Sequence, residues 1–182
     1  MKLYIFCSLI ILSSVGAVSA FAMDNKPLAV VPSVDLDRYS GKWYEIARYP
    51  NRFQKSCVGE VTADYSLMKD RRLRVQNECR KSNGKMETAV GEGRLADKNG
   101  PTSKLKVRFA PSWLSWLPVV WGDYWIIDLG ADYSYSVIGT PDRKYLWILS
   151  RTREMNEKTY QDILKKVAKL DFDPGKLVRT LQ

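Results

Sequence analysis

No histidine occurs in the 182-residue chain. That removes the commonest general base, haem ligand and zinc ligand together, and it makes a Ser-His-Asp triad impossible however many serines are present. Carboxylate pairs such as Asp35 and Asp37 have an ordinary use in capping and salt bridges. No glycine-rich loop is arranged to cradle a phosphate. Of the three cysteines, Cys57 and Cys79 lie in the body of the chain. In an exported protein such a pair favours a disulfide. Cys57 starts one expected strand and Cys79 ends the next, so the hairpin between them brings both to one edge. Closing that loop stabilises the fold by about 3 kcal/mol in the chain-entropy model. A metal site is the rival use, and two cysteines without histidine serve it poorly. No metal or cofactor is expected, and nothing specific points to an enzyme.

Export is read from the first residues. Met1-Lys2 forms a minimal charged region, Leu3 to Val15 an apolar run, and Val18-Ser19-Ala20-Phe21-Ala22 a small-residue cleavage site. Residues 1–22 are therefore expected to be a signal peptide, cut after Ala20 or Ala22. The apolar run is short for a bilayer span of about 20 residues. Cys7 sits inside that run, and no cysteine stands at the junction where a lipid anchor would attach. A soluble protein, periplasmic or secreted, is the expectation. Removing Lys2 takes the formal charge from +9 to +8. The cations are interspersed with acids, which suits solubility rather than a nucleic-acid partner, while attraction to anionic lipid headgroups stays open.

With 45% hydrophobic and 12% aromatic residues, the remainder can build one domain with a real core. Residues 23–33 read as an N-terminal arm. Val34 to Ser40 has the composition of a short helical turn. Gly41-Lys42-Trp43-Tyr44-Glu45-Ile46-Ala47-Arg48 reads as the first strand, stopped at Pro50. Seven further runs of strand character follow: 58–67, 72–80, 85–96, 104–110, 124–129, 135–139 and 145–151. Turn signals separate them, among them Ser82-Asn83-Gly84 and Asn99-Gly100-Pro101. Eight strands on short connections imply an up-and-down sheet, and at eight such a sheet closes around one small ligand. After the last strand, Met155, Tyr160, Ile163, Leu164, Val167 and Leu170 recur at helical spacing, so a helix is expected with its apolar stripe on the outside of the barrel.

The run Asp-x-x-Arg-Tyr-x-Gly-x-Trp-Tyr-Glu-Ile-Ala-Arg at residues 35–48 resembles the N-terminal signature of the lipocalins. Asp132-Tyr133 stands where that family carries its second signature, and Tyr145 to Arg151 resembles the third. Gly122-Asp123-Tyr124-Trp125-Ile126-Ile127 and Pro141 to Trp147 narrow the resemblance to the bacterial, plant temperature-induced and apolipoprotein D-like branch. It implies an all-β domain over residues 34–182: an eight-stranded antiparallel up-and-down barrel with one C-terminal α-helix packed outside. It also implies a sealed base marked by Gly41, Trp43, Asp132, Tyr133 and Arg151, with the guanidinium of Arg151 across the indole of Trp43, a contact worth about 0.5–2 kcal/mol.

Strand parity, taken from that inward tryptophan and arginine, then orients their own strands, turning Glu45, Ala47, Tyr49, Trp147 and Leu149 inward. Alignment of the other strands with the family implies that Ala63, Tyr65, Val75, Asn77, Gly91, Val107, Phe109, Tyr124, Ile126, Ser136 and Ile138 face inward as well. The expected ligand contacts are Phe53, in the loop after the first strand, and from this set Tyr65, Asn77, Val107, Phe109, Tyr124, Ile138 and Trp147. The rival is a barrel core filled by its own side chains. At the open end, residues 111–121 hold Trp113, Leu114, Trp116, Leu117 and Trp121, an unusually apolar loop. Membrane contact, a lid over the pocket and a homodimer contact are the three uses in view. The function expected is carriage or storage of a small hydrophobic ligand, a fatty acid or lysophospholipid, with Arg52, Lys55 or Arg108 near its headgroup. The alternatives are a lipid-modifying enzyme on the same fold, or a membrane-docking protein with a filled barrel.

Overall fold

A computed structural model describes residues 26–182. The expected signal peptide lies outside the described residues. A single helical turn, α1 (Leu36–Tyr39), leads into β1 (Gly41–Arg48). Asp35 caps that turn by accepting from the amides of Asp37 and Arg38, which would otherwise lack partners. Seven strands continue as β2 (Cys57–Leu67), β3 (Leu73–Lys81), β4 (Met86–Leu95), β5 (Lys104–Arg108), β6 (Gly122–Leu129), β7 (Tyr135–Gly139) and β8 (Leu146–Ser150). Each pairs antiparallel with the next, and β1 pairs with both β8 and β2, so the eight strands close on themselves. Closure leaves none of the eight as a terminal edge strand, although β4 pairs with β5 only from Glu92 onward.

Helix α2 (Glu157–Ala168) lies outside the barrel, capped by the side chain of Asn156. It buries Tyr160, Ile163 and Val167 against Ile46, Ala47, Val137, Leu146 and Ile148. A second apolar cluster lies inside the barrel, where Leu36, Tyr39, Trp43, Leu73, Leu105 and Ile126 fill one end. The chain before α1 is tied down as well: the Val31 amide donates to the Ile126 carbonyl at 3.1 Å, and Leu28 is buried in the outer cluster.

Two features depart from the sequence reading. The first is a register shift in β1, where Glu45 pairs with Leu149 and Ala47 with Ile148. One extra residue reverses which face each side chain takes. Ala47 and Tyr49 therefore belong to the outer cluster beneath α2 and do not face inward as parity had implied. The second is a ninth strand, β9 (Val178–Arg179), which pairs with Ala47 and Arg48.

That strand has a structural job. Pairing of β1 with β2 covers only Gly41 to Tyr44, and nearer the open end the two strands part. The last residues of the chain fill the wedge. Thr180 donates from its amide to the Ile46 carbonyl at 3.0 Å, and the Leu181 carbonyl accepts from the Glu60 amide at 2.6 Å. The Gln182 side-chain amide donates to the carbonyls of Glu45 and Val61 at 2.7 and 2.9 Å. Gly59 makes room, since a Cβ there would lie 2.8 Å from the Leu181 carbonyl oxygen. Deleting residues 178–182 should leave the barrel folded but cost about 2–4 kcal/mol, because buried backbone groups lose their partners. Hydrogen exchange should show the amides of residues 59–61 losing protection; unchanged protection would mean the tail does not close the wall.

Candidate functional site

The end at which the barrel is sealed is built around Trp43, which is fully buried. Its indole N–H donates to the Tyr39 carbonyl at 2.9 Å. The Arg151 guanidinium stacks 3.8 Å from the ring centroid and donates to the carbonyls of Lys42, Arg38 and Tyr39. One cation thus joins the end of β8, the first strand and the helical turn. Gly41, at φ +91°, adopts a backbone that favours glycine, and a Cβ there would sit 3.5 Å from Arg151 Nη1. Asp132 and Tyr133 form the β6–β7 turn at the same end. Asp132 accepts from the Ser134 amide, and the Tyr133 hydroxyl accepts from the Asp35 amide, with Arg38 stacked over its ring.

Above this plug lies a row of hydroxyls. Tyr39 bonds to Ser136 at 2.9 Å and to Tyr124 at 2.8 Å, and Tyr124 bonds to Tyr65 at 3.0 Å. Burial pushes all three phenols to higher pKa, Tyr39 to about 12, because the phenolate would lose its hydration. They are neutral hydrogen-bonding groups at ordinary pH.

Tyr65 and Tyr124 are also the inner boundary of a cavity of about 770 Å³. Its walls are mostly apolar, with Ala63, Val75, Ala89, Val107, Ile138 and Leu149 among them. Asn77 stands in register between Ala63 and Ala89, whose small side chains leave it uncrowded. Its Oδ1 is buried and has no protein partner, so it is a polar handle open to a ligand. Nearer the mouth, an aromatic row runs Phe53, Tyr145, Trp147, with successive centroids 5.7 Å apart.

Glu45 also borders the cavity, yet it is well satisfied. Arg48 and Thr180 donate to its Oε1, and Gln54 Nε2 donates to Oε2 at 2.6 Å. Gln54 Oε1 in turn accepts from the Trp147 indole at 2.9 Å. This network ties the β1–β2 loop and the C-terminal tail to the cavity wall. Sequence reasoning oriented Glu45 inward but found none of its partners. Gln54 lies in the loop after β1 and Thr180 far along the chain, and neither carries a motif, so only the fold could bring them to Glu45.

All eight expected ligand contacts border this one cavity: Phe53, Tyr65, Asn77, Val107, Phe109, Tyr124, Ile138 and Trp147. Cys57 and Cys79 are bonded as a disulfide at its rim, with Cα atoms 5.6 Å apart. Three other expectations need correction. Gly91, expected on the inward face, does not border the cavity; a Cβ there would strike the Arg108 carbonyl and the Phe109 ring, so the chain itself fills that position. Arg108 is buried on the barrel's outer side, donating to Glu92 and the Ala110 carbonyl, and of the three mouth cations it is Arg52 that borders the cavity. Trp121 is only 7% exposed, with its ring between Arg94 and Arg108 and its indole donating to the Ser115 carbonyl. It anchors the loop. Trp113 and Trp116, at 72% and 75% exposed, are the residues presented to solvent, with Leu114 and Leu117 half-buried.

A closed antiparallel barrel, plugged at one end and open over an apolar cavity at the other, defines a small-ligand-binding barrel. The chain belongs to the lipocalin family, whose profile, described as a lipocalin-like domain, matches residues 34–182. It is 41% identical over 160 residues to temperature-induced lipocalin-1 of Arabidopsis thaliana, covering 87% of this chain and 85% of that protein. Against the outer membrane lipoprotein Blc of Escherichia coli K12 it is 36% identical over 152 residues, covering 83% and 81%. Among solved structures, insecticyanin from the tobacco hornworm Manduca sexta superposes with a TM-score of 0.64 at 23% identity, covering 85% of this chain and 82% of that one. The family binds small hydrophobic ligands, which is the use this cavity's lining suits.

The buried phenols set an alkaline limit on the fold. Their pKa is raised in the folded state, so the unfolded chain loses these protons first as pH rises. Stability attributable to them is complete below pH 10 and is lost as pH climbs through about 12 for Tyr39. Each such group steepens the decline by up to about 1.4 kcal/mol per pH unit. Denaturant unfolding between pH 8 and 12 should show a plateau followed by this fall, with a shallower fall in Tyr39→Phe. Equal slopes in the two proteins would contradict the assignment.

Proposed function

We propose that this lipocalin carries or stores a single-chain lipid, a fatty acid or a lysophospholipid, by reversible sequestration. The observation that carries the reading is the cavity of about 770 Å³, apolar along its walls and bordered at its mouth by Arg52. An acyl chain entering it leaves water, contributing about 0.8 kcal/mol per buried methylene before ordering costs. A carboxylate or phosphate headgroup stays at the rim, where Arg52 lies and Lys55 is exposed nearby. The leader-like residues 1–22 support an exported protein, in the periplasm or secreted, and one relative is named an outer membrane lipoprotein. Storage or repair of envelope lipid would suit that setting.

Native mass spectrometry of the purified protein, followed by solvent extraction, tests the cargo. The expected result is about one fatty acid or lysolipid per chain, displaced competitively by added lysophospholipid. An apo mass that takes up no offered lipid would overturn the reading, pigment in the extract would replace the cargo, and catalytic turnover of the lipid would make the protein an enzyme.

The exposed side chains of Trp113, Trp116 and Val119 support a second element, contact with a membrane surface during loading or release. Replacing Trp113 and Trp116 by serine should weaken association with anionic liposomes about tenfold, with an unchanged circular dichroism spectrum. Unchanged liposome binding would remove the membrane from the mechanism. Concentration-dependent sedimentation lost in the same variant would assign the loop to a homodimer instead.

A further inference from the structure

The far end of the cavity is not apolar. Where a simple acyl carrier would end in methyl-bearing side chains, this one ends on the rings of Tyr65 and Tyr124 and the hydroxyl row behind them. Four hydroxyls, those of Ser136, Tyr39, Tyr124 and Tyr65, are joined in line by three hydrogen bonds. Each hydroxyl carries one proton. Three protons serve the links, so one O–H is left over, and any of the four hydroxyls can be the one that carries it.

Burial decides which. Ser136 and Tyr39 are fully buried and do not border the cavity. A surplus proton on either would lie in that dry interior with no acceptor, at the full desolvation cost of a buried donor. Ser136 therefore donates to Tyr39 and Tyr39 to Tyr124, while the link between Tyr124 and Tyr65 can run either way. The surplus donor is then the Tyr65 or the Tyr124 hydroxyl, each on a ring that borders the cavity.

We propose that the blind end of the cavity is a second polar subsite, which takes a neutral oxygen function, a hydroxyl or a carbonyl, at the leading end of an apolar chain. This rests on the carrier reading above and sharpens its ligand class to chains polar at both ends. A hydroxyl or carbonyl oxygen accepts from that surplus donor, on Tyr65 or Tyr124, and leaves no group unpaired. A carboxylate there would present two charged oxygens to one spare donor, so the acid end belongs at the mouth. The phenols are held protonated by burial, so the subsite keeps the same polarity over the neutral range.

Three acids of equal chain length test this by competition titration at pH 8, below their aggregation concentrations: hexadecanoic, 16-hydroxyhexadecanoic and 2-hydroxyhexadecanoic acid. In an apolar dead end the 16-hydroxyl would weaken binding at least tenfold, because its hydration is lost without return. Here 16-hydroxyhexadecanoic acid should bind within threefold of hexadecanoic acid or tighter. In Tyr65→Phe/Tyr124→Phe it should fall at least tenfold behind, while the 2-hydroxy acid keeps its rank. A tenfold deficit of the 16-hydroxy acid in the wild-type protein, or no change of rank in the double variant, overturns the subsite and leaves the carrier reading standing. Failure of all three acids to bind overturns the subsite, and it overturns the carrier reading as well when added lysophospholipid also fails to bind. Should the double variant not fold, the wild-type ranking decides alone.

Discussion

The first strand has to serve two neighbours on one edge. Along its first half, Gly41 to Tyr44, that edge pairs with β2; along its second half it pairs with the chain's own C-terminus. The opposite edge pairs with β8 from Tyr44 onward. A strand shared in this way must bend, and the register shift between Glu45 and Ala47 supplies the bend. Much of the molecule follows from that shift. It turns Ala47 toward α2, leaves Glu45 facing the cavity, and opens the wedge that residues 178–182 occupy.

Closure on those terms makes the two ends of the barrel chemically different. At the sealed end, strand edges meet fully, and Arg151 gathers carbonyls from the helical turn and β1 while stacking on Trp43. At the open end the wall is finished by side chains: Gln54, Thr180 and Gln182 bridge what backbone pairing does not. The contrast suits a container. The base is rigid through many backbone-linked contacts, whereas the rim depends on a network that local opening could loosen.

The cavity itself expresses the same division. Small residues on neighbouring strands, Ala63 and Ala89 about Asn77, keep the middle empty. Aromatic rings line the approach, and hydroxyls end it. Glycine was not the source of the space. At Gly91 the absence of a side chain admits Phe109 and the β5 backbone, so the residue permits close packing of the wall.

Alternation of apolar and polar residues, with turn residues between, was enough to read eight strands and one outer helix. Those patterns are local, and a period of two or of 3.6 survives in the sequence wherever one face of an element is buried. Through the family resemblance, the Gly-x-Trp run and the arginine after the eighth strand likewise announced the plug, and alignment with the family gave the inward faces of β2, β3, β5, β6 and β7. What sequence could not supply was any fact that joins distant residues at a break in that regularity. The shift in β1 has no signature in Glu45-Ile46-Ala47, yet it reverses Ala47 and Tyr49. The exposure of Trp121 depended on guanidinium groups from β4 and β5. The tail pairing, the Glu45 network and the joining of the tyrosine row were decided only by the tertiary structure, because hydrogen bonds between residues on different elements leave no periodic trace, whether they span nine positions or more than a hundred.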